Sequence, residues 1–146
     1  MRHFCIALVT ALSLSAAGCQ NRAGPGGVTA DDAEVFSAIA PEEKLYFGGN
    51  EPFWGGDAVG QELRYTTPEN IDGDVIAVKR FAGLGGLGLS GELGGKPFDM
   101  LVTDAPCDDT MADRSYPFTI TLKIGEETRE GCGWTDAKPF TGDANP

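Results

Sequence analysis

Three carboxylates fall within six residues, at Asp108, Asp109 and Asp113, in the run Cys107-Asp108-Asp109-Thr110-Met111-Ala112-Asp113-Arg114-Ser115-Tyr116-Pro117-Phe118. Carboxylate oxygens at this density are hard ligands of the kind Ca²⁺ takes, but the spacing is not that of an EF-hand loop. Short Asp side chains also accept hydrogen bonds from the amides of their own loop. We read the three in that way and assign no metal ligand. A fourth carboxylate, Glu51, lies in Gly48-Gly49-Asn50-Glu51-Pro52-Phe53-Trp54, beside two large aromatic side chains. A carboxylate in a partly buried place needs a partner. Arg114 can be that partner, because its planar fork matches a carboxylate through two parallel hydrogen bonds. The expectation is that Glu51 and Arg114 meet, while Phe53 and Trp54 pack into a core or a barrel end.

Histidine limits the remaining chemistry. The chain holds one, His3, at its extreme N-terminus. Ser-His-Asp and Cys-His nucleophile activation, and the ordinary His-based zinc and copper sites, have no ligand or base elsewhere in the sequence. A general base near neutral pH would have to be a carboxylate with a strongly raised pKa. We assign no catalytic residue. A carboxylate-based hydrolase using Glu51 or an Asp of the 108–113 loop is the enzymatic alternative. No cofactor is assigned either. Gly83-x-Gly85-x-x-Gly88 has the letters of a dinucleotide fingerprint, but the following residues alternate and then reach Gly94-Gly95-Lys96-Pro97, where the fingerprint requires a helix.

The four cysteines sort by position. Arg2 precedes an apolar run of about a dozen residues that ends in small ones, the layout of a secretory signal peptide over residues 1–18. The run is too short to span a bilayer, which takes roughly 20 apolar residues. Its ending, Ser15-Ala16-Ala17-Gly18-Cys19, resembles the bacterial lipobox, with Ala16 where the lipobox usually has Leu. The resemblance implies that Cys19 becomes the first mature residue and carries acyl chains, several of which anchor a protein stably to a membrane. Gln20, not Asp, follows that Cys, which by similarity to known sorting signals implies the outer membrane, facing the periplasm. Cys5 leaves with the signal peptide. Cys107 and Cys132 remain, an even pair in an oxidising compartment, and are expected to form a disulfide. They do not form a C-x-x-C pair, so the bond is read as structural.

Residues 19–31, with three Gly and few apolar side chains, have too little apolar surface to fold and read as a tether. The rest is enough for a single domain over 32–138, with a tail at 139–146. The formal net charge is −11. That excludes nucleic acid, which needs a basic footprint, and favours cationic proteins as partners.

Within the domain the dominant period is two. From Tyr116 to Ile124 every even position is apolar: Tyr116, Phe118, Ile120, Leu122 and Ile124. Leu63 and Tyr65 alternate with Glu62, Arg64 and Thr66, and Leu87, Leu89 and Leu93 share a parity opposite Ser90 and Glu92. Val75-Ile76-Ala77-Val78 is continuous and reads as a strand covered on both faces. Phe98–Thr103 and Thr128–Trp134 are further candidates. Turns at Asp57, Gly60, Asp72-Gly73, Gly94-Gly95 and Gly125-Glu126 separate them. The prediction is all-β: a small antiparallel meander of about seven or eight strands, closing into a barrel or tight sandwich because open edges are a liability. The glycines of 83–91 would allow bulges or close backbone approach. A short helical turn is predicted near Asp31–Ala40, where Phe36 and Ile39 share one face, Asp31 or Asp32 caps the start and Pro41 ends it.

The two motifs, G-x-E-P-F-W at 49–54 and C-x-D-x-M-x-D-R-x-Y-P-F at 107–118, together with the late Gly131-Cys132, resemble a family of small bacterial envelope lipoproteins with no assigned function. That family usually shows Gly and Ser where this chain has Thr110 and Ala112. The layout is also similar to META-domain heat-shock lipoproteins and membrane-bound lysozyme inhibitors. The resemblance implies a compact, lipid-anchored β domain, with Glu51, Phe53, Trp54, Asp109, Asp113, Arg114 and Tyr116 as its motif residues. The reading is a non-enzymatic binding or structural module attached to the membrane by its acyl chains. An inhibitor of a cationic envelope enzyme such as lysozyme, and a carrier of a small hydrophobic ligand, are alternatives.

Overall fold

A computed structural model describes residues 34–109 and 113–142. The signal peptide, Cys19, the tether, the Asp31 and Asp32 caps and Thr110–Ala112 lie outside them. The described chain is all-β. Its strands are β1 (Leu45–Asn50), β2 (Phe53–Val59), β3 (Glu62–Thr67), β4 (Asn70–Ala77), β5 (Lys79–Ala82), β6 (Leu87–Leu93), β7 (Lys96–Thr103), β8 (Cys107–Asp109), β9 (Arg114–Tyr116), β10 (Phe118–Ile124), β11 (Glu127–Thr135) and β12 (Thr141–Gly142).

Nine strands form one antiparallel sheet in the order β4-β3-β2-β1-β11-β10-β7-β6-β5. Its two edges, β4 and β5, are consecutive in sequence and separated only by Val78, so one bent run serves both ends. β4 pairs with β3, and β5 pairs with β6. The Val78 amide donates to the Gln61 carbonyl across the bend at 2.9 Å. Gly91 lets β6 pass close to this run: a Cβ there would lie 2.7 Å from the Ala77 carbonyl oxygen and 2.8 Å from Ile76 Cγ2. The sheet thereby curls into a nearly closed barrel. With β4 and β5 taken as one run, the strand number matches the meander expected from the turn spacing.

Alternation decides what fills it. Along β10, Phe118, Ile120 and Leu122 are fully buried; along β7, Phe98, Met100 and Val102 are. Each inward side chain removed from water contributes about 1.5–3 kcal/mol. The continuous apolar run in β4 behaves differently from its reading. Ile76 and Val78 point into the core, while Val75 is 66% exposed and Ala77 is exposed too. The strand is covered on one face only, because the barrel has a single apolar interior and none of the described residues buries Val75 from outside.

The helical turn expected near 31–40 is absent from the described part. Residues 34–40 are irregular. Tertiary partners replace the local hydrogen bonds a helix would make. The Phe36 amide donates to the Gly83 carbonyl at 2.9 Å, and Arg80 Nη2 donates to the Ile39 carbonyl at 2.6 Å. Phe36 and Ile39, spaced as on a helix face, instead pack against the core from an open segment. Pro41 also disfavours a helical conformation at the residue before it.

The three remaining strands form a small sheet in the order β12-β9-β8. It takes in Thr141 and Gly142, which the sequence reading leaves in the tail, so the folded unit runs at least to residue 142.

Candidate functional site

The two motifs build two aromatic centres on opposite sides of one stretch of sheet. In the first, Trp54, the second residue of β2, points into the barrel, with 5% of its surface exposed. Its ring lies 6.0 Å from Phe47 and 6.2 Å from Tyr65, and Tyr65 meets Phe98 edge-on at 5.8 Å. The indole fits a slot cut by two glycines. A Cβ on Gly49 would lie 2.5 Å from Trp54 Nε1, and one on Gly131 would lie 2.8 Å from Cζ2. Both motif glycines are therefore space for the tryptophan. Trp54 Nε1 has no hydrogen-bond acceptor among the described residues. Above this centre Arg129 ties the barrel mouth together. It donates to Glu127 Oε1 through Nε at 2.8 Å and Nη2 at 2.7 Å, and through Nη1 to the Tyr65 hydroxyl. Burial pushes the Tyr65 phenol pKa up; the Glu127 charge adds to this, and Arg129 opposes it.

The second centre lies outside the barrel. Cys107 and Cys132 are disulfide-bonded, with Cα atoms 5.5 Å apart. In β11, Gly133 and Thr135 pair with the buried Phe47 and Leu45 positions of β1, so Cys132 and Trp134 must face outward. The disulfide fastens β8 over that face. Tyr116 in β9 then packs 5.5 Å from Trp134 and 5.4 Å from Phe140, and Tyr46 stacks on Trp134 at 5.5 Å. Tyr116 and Phe118 keep the same parity, yet Tyr116 serves this outer cluster and Phe118 the core, because the chain changes sheets at Pro117. Proline has no amide to donate to a ladder, so it suits the break.

The expected Glu51–Arg114 pair does not form. Glu51 is exposed in the β1–β2 turn, and the Arg114 guanidinium carbon lies 5.0 Å from the centre of the Phe140 ring. An exposed carboxylate keeps its hydration and needs no buried partner, and an aromatic face attracts a guanidinium. Phe53 is exposed as well, so of the two aromatic residues in the first motif only Trp54 is core. Asp113 is exposed, and Asp109 stands opposite Arg114 in the β8–β9 register. No group of three potential metal-ligating side chains gathers among the described residues.

The ion pair with the clearest electrostatic consequence was not anticipated from sequence. Asp57 on β2 pairs with Arg64 on β3 and lies 3.5 Å from Lys44 Nζ. Burial alone would raise the Asp57 pKa, but the two cations outweigh it and hold the carboxyl below its ordinary value. Stability from this group is present above the unfolded carboxyl pKa of about 4 and is lost as pH falls through the lower folded value. Asp57→Asn is therefore expected to be less stable than the parent at pH 6, with the difference closing towards pH 2, as read by urea unfolding across pH.

The ends of the barrel differ. In an up-and-down meander alternate turns share an end. The β1–β2, β3–β4, β6–β7 and β10–β11 turns thus sit together, and they carry the exposed acids Glu51, Glu69, Asp72, Glu126 and Glu127 with exposed Phe53 and Ile71. At the other end, where residues 34–44 join the barrel and exposed Glu34, Glu42, Asp104 and Asp136 also lie, Val35 and Leu84 are exposed, with Phe81 and Leu101 beside them. Sequence reasoning did not single out these four. Parity could have flagged Leu101, which falls between the inward Met100 and Val102. Comparison of the chain with protein-family models, with curated proteins and with solved structures finds no match.

Proposed function

We propose that the protein is a lipid-anchored module of the bacterial envelope that acts through its outer surface and not through catalysis. The observation that carries this is the state of the barrel interior. Leu63, Leu87, Phe98, Phe118, Ile120 and Leu122 are all fully buried there against one another. A barrel this small is filled by its own side chains, which leaves surface as the means of contact. The Asp57 carboxyl is held below its ordinary pKa, the opposite of what a general acid near neutrality needs. The lipobox-like Cys19 and the resemblance of the two motifs to envelope lipoproteins supply the anchor and the compartment.

The acidic, partly apolar end favours a cationic protein as the partner class. Carboxylates around exposed Phe53 and Ile71 combine long-range attraction with an apolar contact. Two measurements test the whole reading. Cys19→Ser should abolish acylation and move the protein from the membrane to the soluble fraction. The full chain should retain a cationic protein such as lysozyme at low salt and release it at high salt. Membrane attachment that survives Cys19→Ser would overturn the anchor, and no salt-sensitive retention would overturn the cationic partner.

A further inference from the structure

We infer that the barrel end carrying Val35, Phe81, Leu84 and Leu101 rests on the bilayer surface, so that the domain is held in one orientation with its opposite end outward. This inference rests on the lipid-anchor reading above.

The four side chains form one patch, although they come from three places in the sequence. The Phe36 amide bonds to the Gly83 carbonyl, which sets Val35 next to the β5–β6 turn, and Val35 and Leu84 line one shallow concavity there. The Phe81 ring edge reaches back over the same turn, its Cε1 lying 2.9 Å from where a Cβ of Gly83 would be. Phe81 stands opposite Gly88 in the β5–β6 register, and Gly88 stands opposite Leu101 in β6–β7. With no side chain between them, Phe81 and Leu101 line one groove. Their exposures are 53% for Val35, 73% for Phe81, 67% for Leu84 and 44% for Leu101. Large apolar side chains gathered on a surface in this way mark a contact with a protein or a membrane.

The occupant follows from where the chain goes. Fourteen residues separate Cys19 from Glu34, so an acyl anchor on Cys19 cannot lie further than roughly 50 Å from Glu34 even at full extension. The patch begins at the next residue, Val35. Tethering makes its encounter with the bilayer intramolecular, so a modest apolar contact suffices. Beside the patch Lys138 pairs with Asp104. Phenylalanine and leucine at the headgroup boundary are the side chains that surface-bound segments bury.

Photocrosslinking tests it. The full acylated chain, carrying p-benzoylphenylalanine in place of Leu84 or Phe81, is reconstituted into vesicles of phosphatidylethanolamine with a little phosphatidylglycerol. Ile71, as exposed but at the opposite end, is the control position. All three sites are on the surface, so folding is not at stake, and near-ultraviolet circular dichroism confirms it. Lipid adducts at 84 and 81 are expected to exceed those at 71 by about tenfold. Equal labelling at 84 and 71 in protein that floats with the vesicles would overturn the orientation while leaving the anchor intact. So would a protein–protein dimer crosslinked through 84 in place of lipid. Failure to float would overturn both.

Discussion

Alanine in place of Trp54 is expected to destabilise the barrel by about 3–5 kcal/mol, the range for emptying a buried aromatic site. The slot cannot collapse to fill the space. Its walls are the backbones of Gly49 and Gly131, which lie in the central strands β1 and β11, together with the rings of Phe47 and Tyr65. Phenylalanine at the same position is expected to cost much less, about 1–2 kcal/mol. The indole Nε1 has no acceptor among the described residues, so removing it leaves no broken hydrogen bond, only a smaller ring. Urea unfolding followed by far-ultraviolet circular dichroism measures both. Equal losses for the two variants would show that Trp54 contributes through its N–H and not through its volume.

Removing the disulfide, as Cys107→Ala with Cys132→Ala, is expected to cost about 3.5 kcal/mol from the loop entropy of its 25-residue separation. The damage should be local in kind as well as global in size. The bond holds β8, and through it β9, over the outer face of β11, where Tyr116 packs on Trp134. Without it the outer aromatic cluster should loosen while the interior round Trp54 persists. The near-ultraviolet signal of Trp134 should therefore weaken at denaturant concentrations where the far-ultraviolet signal is still native. Reduction of the parent should reproduce the effect, and reduction of the double variant should add nothing. A loss below about 1 kcal/mol would mean that the aromatic packing holds the flap unaided.

These two effects come from different levels of legibility. The aromatic motif is visible as letters, yet its two members, adjacent in sequence, separate completely: Trp54 is core and Phe53 is surface. Strand parity explains the division, but which parity faces inward is known only once β2 is paired with β1 and β3. The Cys107–Cys132 bond could be read from sequence because only two cysteines remain after the N-terminal segment is accounted for. That it would clamp an outer flap, with Phe140 and β12 drawn in from the supposed tail, could not be.

Periodicity by itself determined that the described chain is all-β and that Phe118, Ile120 and Leu122 are interior. These are local properties, because side chains alternate across a strand whatever it pairs with. Tertiary structure alone decided that β4 and β5 act as one bent run closing the barrel, that Val75 faces water, that Phe36 and Ile39 pack without a helix, and that Glu51 and Arg114 do not pair. The exposed group at Val35, Phe81, Leu84 and Leu101 belongs with them. Each of these depends on which distant segment arrives alongside, and a strand's own residues carry that information only through the sum of every pairing in the closed sheet.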